Sequence, residues 1–77
     1  MNNTRRKELK MWIKKIDGLK DDLGYILSDE QDYYDNIPEN LQSSLHATSS
    51  EEAIEGIEEA MEIIDEVIEK IEEVILA

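Results

Sequence analysis

Cysteine is absent from this 77-residue chain and histidine occurs once, as His46. No disulfide can form, no thiolate can hold a metal, and His46 could ligate one only with help from carboxylates. Phenylalanine is also missing, proline occurs once and glycine three times. The chain is therefore poor in turn signals and short of large core residues. A chain this short buries a modest share of its surface, and small scaffolds usually compensate with disulfides, metals or association. With the first two removed, association is the expected staple. No apolar run approaches the roughly 20 residues that span a bilayer. The basic opening MNNTRRKELK leads into a stretch broken by Lys14, Lys15 and Asp17, which is no signal-peptide core. A cytoplasmic protein without a membrane partner is the expectation.

Basic charge is missing from most of the chain. Residues 1–20 hold Arg5, Arg6, Lys7, Lys10, Lys14, Lys15 and Lys20 against Glu8 and Asp17, a balance of +5. Residues 21–77 carry a balance of −17, with Lys70 the only cation. A field of that sign repels phosphates, so direct nucleic-acid binding is not expected.

Periodicity is what the chain has. Glu51 to Ala77 reads EEAIEGI-EEAMEII-DEVIEKI-EEVILA, a heptad pattern sustained long enough to specify a coiled coil or bundle. Ala53, Ile57, Ala60, Ile64, Val67, Ile71 and Val74 form its seam, with Ile54, Met61, Ile68 and Ile75 as a flank. Three or four apolar residues in seven is wide for a two-stranded coil and suits four or more helices. Ser49-x-x-Glu52 is a capping box that starts this helix, over about 50–76, with Thr48-x-x-Glu51 as an alternative.

The first helix is expected over about 4–35, with Thr4 as its N-cap. Cations at Arg5, Arg6 and Lys7 sit badly with the positive end of the helix dipole, which suggests placement for a partner. Its stripe runs Leu9, Trp12, Ile16, Leu19, Leu23, Ile26, Glu30, Tyr33 and Ile37, alternating 3 and 4. Met11, Ile13 and Leu27 widen it. Gly18 and Gly24 fall inside and imply either close approach by a neighbouring helix or a kink. Ser28-x-x-Gln31 could break the helix, but a continuous helix is preferred. Glu30 interrupts the stripe. Either the core opens to solvent there, or a polar site exists walled by Tyr25, Tyr33 and Tyr34.

The connector, 36–49, should begin with Asn36 in a left-handed conformation and contain a short helix over about 38–45 started by Pro38. Leu41 and Leu45 would pin it over the hairpin's end. The whole is a single all-α domain, a long helical hairpin with a short connector helix. Folding back lays basic residues 5–20 beside acidic residues 58–73, and the wide stripes call for an antiparallel homodimeric four-helix bundle or a higher oligomer. Such a dimer brings Arg5, Arg6 and Lys10 of one copy toward Tyr33, Tyr34 and the loop of the other. Tyr33, Tyr34, Asn36, Asn40, Gln42 and His46, with Glu30, are the candidate ligand residues: rings stack on bases and amides read their edges. The bland alternative is a capped loop with tyrosines at a bundle rim.

Catalysis has little to stand on. No Ser–His–Asp, phosphate-loop or zinc arrangement occurs, and DDLGYILSDEQD lacks the spacing and glycine of a calcium loop. Glu51-Glu52-x-x-Glu55 followed by Glu62-x-x-Asp65 resembles the magnesium motif of MazG-like all-α nucleotide pyrophosphatases. The spacer is only six residues, however, and no second helix separates the halves. The same acids follow from a solvated heptad face. A non-enzyme without cofactor or metal is expected.

The segment YYDNIPENLQSS, set between a long helix and an acidic heptad helix, resembles small proteins of phages and prophages of Gram-positive bacteria. Their DNxPENLQ-like loop corresponds here to Asp35, Asn36, Pro38, Glu39, Asn40, Leu41 and Gln42. That resemblance implies a counter-defence role in the host cytoplasm. The protein could sequester a small nucleotide immune signal at inter-subunit sites. Alternatively it could act as an acidic DNA mimic, inhibit a host defence protein, or help assembly.

Overall fold

The computed structural model describes residues 1–41 and 44–77. Helix α1 spans Asn3–Asp35, a 3-10 turn covers Glu39–Leu41, and helix α2 spans Leu45–Leu76. The helices run antiparallel in a rod whose Cα atoms extend 59 × 16 × 12 Å. Three contacts fix their alignment along its length: Arg6 with Ile75, Lys20 with Asp65, and Tyr34 with Glu51.

The N-cap of α1 is Asn2, not Thr4, because the Asn2 amide oxygen accepts from the Arg5 N–H at 2.9 Å. Asparagine caps at least as well as threonine, so the helix gains two residues. It then runs unbroken through Gly18, Gly24 and Ser28 to Asp35. Close approach explains one glycine only. A Cβ at Gly24 would sit 3.7 Å from Met61 Cε, whereas nothing lies within 4 Å of one at Gly18. Asn36 does not turn left-handed, since its φ is −87°. Its backbone N–H and its side-chain amide both donate to Asp32 O, at 3.1 and 2.8 Å, and Ile37 N–H donates to Tyr34 O. These hydrogen bonds satisfy the Asp32 and Tyr34 carbonyls without a positive φ.

The connector helix shrinks to a single turn, closed by Leu41 N–H donating to Pro38 O at 2.8 Å. Helix α2 takes up residues 45–49 of the expected connector. It starts at Leu45 with Ser44 as its cap, where Ala47 N–H donates to Ser44 Oγ at 3.2 Å. The Ser49 capping box is therefore interior to the helix. The earlier start buries two small residues, Ala47 and Ser50. Leu45 is 87% exposed and pins nothing.

Each helix turns one seam toward the other. From α1 it comprises Leu9, Ile13, Ile16, Lys20, Leu23, Leu27, Glu30 and Tyr34; from α2, Ile54, Ile57, Met61, Ile64, Ile68, Ile71 and Ile75. All are part-buried. This departs from the expected stripes. Trp12, Leu19, Ile26 and Tyr33 lie one position round α1 and stay about half exposed. On α2 the expected seam members Ala53, Val67 and Val74 are exposed, while the expected flank faces α1. The reason is competition. Seven-residue spacing holds for both sets, and two helices can bury one of them.

Both displaced sets are rotated in the same sense from the inner seams. In an antiparallel pair, equal rotations put both on one side of the hairpin. On that side Trp12, Leu19, Ile26 and Tyr33 alternate with Glu8, Lys15, Asp22 and Asp29 along α1, beside Ala53, Gly56, Ala60, Ile63, Val67 and Val74 of α2, so its apolar stretch lies mainly along α2. The opposite side carries Glu51, Glu55, Glu58, Glu62 and Asp65 of α2. Among the described residues, Ala47 is the one fully buried apolar side chain.

Candidate functional site

At the loop end, a cleft of about 370 Å³ is lined by Tyr33, Asn36, Ile37, Pro38, Leu41, Ser44 and His46. The local sequence builds it. The last turn of α1 presents Tyr33, Asn36 closes that turn, Pro38 starts the 3-10 turn, and Ser44 opens α2 with His46 in its first turn. Asn36 spends its amide N–H on Asp32 O, which leaves its amide oxygen as an acceptor for a ligand. The result is an apolar floor with a phenol ring, an amide, a hydroxyl and an imidazole around it. Its size and lining fit the pattern of small-molecule sites, roughly 300–1,000 Å³ with a few convergent polar groups.

Of the candidate residues read from the sequence, Tyr33, Asn36 and His46 converge here. The others do not. Tyr34 turns inward, and its hydroxyl donates to the Glu51 carboxylate at 2.6 Å. That hydrogen bond, then burial, then the charges of Glu51 and Asp35 hold the phenol above its ordinary pKa of 10.0. Glu30 is part-buried on the inner seam. It is not walled by three tyrosines, because Tyr25 is 74% exposed on the outer surface and Tyr33 lies on the open side. Asn40 is exposed in the 3-10 turn and stands outside the cleft lining. Gln42 lies outside the described residues.

The cations sit at the other end of the rod. Arg6 donates through Nε to Ile75 O at 3.1 Å and through Nη1 to Asn3 Oδ1 at 3.3 Å. It thus serves the terminal carbonyls of α2, where a cation is favourable. Lys10 borders a hollow of about 340 Å³ with Ile13, Glu72, Ile75 and Leu76. Arg5 is exposed. The expected charge matching along the hairpin reduces, among the described residues, to one inter-helix pair. Lys20 Nζ contacts Asp65 at 2.6 Å, and that hydrogen bond, ahead of nearby charges, raises the Lys20 pKa above 10.5. Lys15 instead stacks over the Trp12 ring, 4.5 Å from its centroid, a cation–π contact.

A larger hollow of about 580 Å³ lies between Tyr34 and the acids Asp32, Asp35, Glu51, Glu55 and Glu58. The heptad pattern contained Glu51, Glu55 and Glu58, but no sequence signal grouped them with Asp32 and Asp35 at the end of α1. The walls Ile37, Pro38 and Leu41 were missed as ligand contacts too, although Pro38 had marked the turn. Among the described residues no group of three or more His, Cys, Asp or Glu side chains is placed to hold a metal ion. Glu51 is engaged by Tyr34 and Asp65 by Lys20. No helix among them is long and apolar enough to cross a membrane.

The class these features define is a two-helix all-α hairpin with one open apolar side and a loop-end cleft. No family model, curated protein or solved structure matches the chain.

Proposed function

We propose that this is a non-catalytic binding protein, an oligomeric helical bundle that sequesters a small ligand of nucleotide type at its loop-end clefts. The observation that carries this reading is the cleft itself, where the Tyr33 ring, the Asn36 amide and His46 meet over an apolar floor. A base could stack on the ring while the amide and imidazole meet its edge. An anionic ligand also needs a cation, and in one copy the basic first turn lies at the opposite end of a 59 Å rod. A second copy running the other way supplies it, so the site belongs between subunits. The resemblance of the YYDNIPENLQSS segment to phage proteins supports a counter-defence setting in the host cytoplasm. Titration calorimetry against cyclic mono- and dinucleotides and ADP-ribose derivatives tests it. Saturable binding that His46→Ala and Tyr33→Ala each weaken about tenfold or more is expected, since each lost stacking or hydrogen-bonding partner costs about 1–3 kcal/mol. No heat with any ligand of the panel overturns it.

A second reading follows from the acid-lined hollow beside Tyr34. There the protein would present carboxylates to a basic groove, as a DNA mimic or an inhibitor of a defence protein. Capture of such a partner would weaken steeply with salt, and capture unchanged at high salt counts against it.

A further inference from the structure

We infer that the open apolar side of the hairpin is the seat of a second copy of this chain, docked face to face with its loop at the opposite end. The inference rests on the antiparallel assembly assumed above and adds the surface and the register. It is independent of which ligand, if any, the cleft takes.

Four observations select a second copy. First, the seam has the repeat of a helix interface without a partner. On α2 it runs Ala53, Gly56, Ala60, Ile63, Val67, Lys70 and Val74, spaced 3 and 4 throughout, with Lys70 its single charge. Every acid of α2 from Glu51 onward lies off it. A solvated face of so acidic a helix has no reason to exclude acids along its whole length. Second, the length of the rod leaves room: its 59 × 16 Å outline bounds a flat footprint at roughly 900 Å², enough to hold the ~800 Å² per partner of a standard stable interface.

Third, the face is complementary to itself when reversed. Small residues (Ala53, Gly56, Ala60) occupy its loop half and larger ones (Ile63, Val67, Val74) its far half. With the axis level with Leu19, and so near residue 66 of α2, the reversal sets Ala60 between Lys70 and Val74 of the other copy while Ile63 and Val67 pack on each other.

Fourth, charge discriminates between the two ways of stacking. With loops at opposite ends and the twofold axis near Leu19, at the middle of α1, Lys15 of one copy meets Asp22 of the other, which offsets the Glu8–Asp29 acid pair that the same reversal creates. With loops at the same end, α1 stacks on α2 of the second copy. The Lys20–Asp65 alignment then brings Lys15 level with Lys70, cation against cation. The first arrangement also carries Arg5, on the same side of α1, to the level of Tyr33 in the second copy. Each cleft thereby gains a cation that its own chain cannot place there.

Because the protein has no cysteine, single-cysteine cross-linking reads the geometry directly. Leu19→Cys, at a half-exposed position, should oxidise to a covalent dimer in high yield, while Leu76→Cys, exposed off this face, should not. If instead Trp12→Cys cross-links to Val74→Cys when the two variants are mixed, and Leu19→Cys does not self-link, the loops lie at the same end and the proposed orientation is overturned. Ile63→Asp should abolish the dimer seen by light scattering, and its persistence overturns the choice of face. Cross-linking as expected with no nucleotide binding upholds this inference and removes the ligand reading alone.

Discussion

Tyr34 and Ser50 are the residues at which the hairpin's energetics are most open to test. The Tyr34 phenol is held above 10.0 by its hydrogen bond to Glu51. A group whose folded pKa is raised contributes stability that is fully present below its unfolded pKa and is lost as pH rises through the folded one. Tyr34→Phe should therefore lower the melting temperature at pH 7, and the difference from wild type should shrink as pH climbs past about 10. Lys20, raised above 10.5 by Asp65, titrates with the same sign, so alkaline pH loosens both ties between the helices. A Tyr34→Phe difference that stays constant up to pH 11 contradicts the assignment. Ser50 is 2% exposed and its hydroxyl has no hydrogen-bond partner. Burying an unpaired hydroxyl costs about 1–3 kcal/mol, so Ser50→Ala should stabilise the protein by roughly 1 kcal/mol, a rise of about 4–8 °C in Tm. A fall in Tm would mean the hydroxyl is bonded.

At the scale of the element, the two long helices were legible in the sequence and their facing sides were not. Seven-residue spacing announces a helix, but it is satisfied equally by Leu9–Ile16–Leu23 and by Trp12–Leu19–Ile26. Only the pairing in space decides which set is buried. Helix ends were legible where one side chain dominated, as at Asp35, and shifted where two caps competed, as with Asn2 and Thr4 or Ser44 and Ser49. The cleft was half legible: Tyr33, Asn36 and His46 were named, but its walls come from a turn shape that Pro38 alone does not dictate. Glycine offers a test on this scale. Gly18 and Gly56 each have open space for a Cβ within one copy, so alanine at either should add up to about 1 kcal/mol of helix propensity. Gly18→Ala should raise Tm accordingly. Gly56→Ala should gain less or lose, because in the proposed dimer Gly56 lies on the docked face. Equal gains at both sites would place Gly56 in solvent.

For the whole molecule, a hairpin with one fully buried apolar side chain among its described residues is short of a core. Its inner seams are part-buried at best, and Trp12, Leu19, Ile26 and Ile63 stand in water. Domains of this size are marginal even when compact. The proposed association would supply the missing layer and couple stability to concentration. Dimerisation should accordingly persist or strengthen in moderate salt, since the driving term is apolar and the net Coulomb term between two acidic chains is repulsive. The most direct test is the mass of the purified protein in solution by sedimentation equilibrium at micromolar concentration. The account predicts twice the 8.9 kDa chain mass. A fully helical, cooperatively melting species of 8.9 kDa would contradict it.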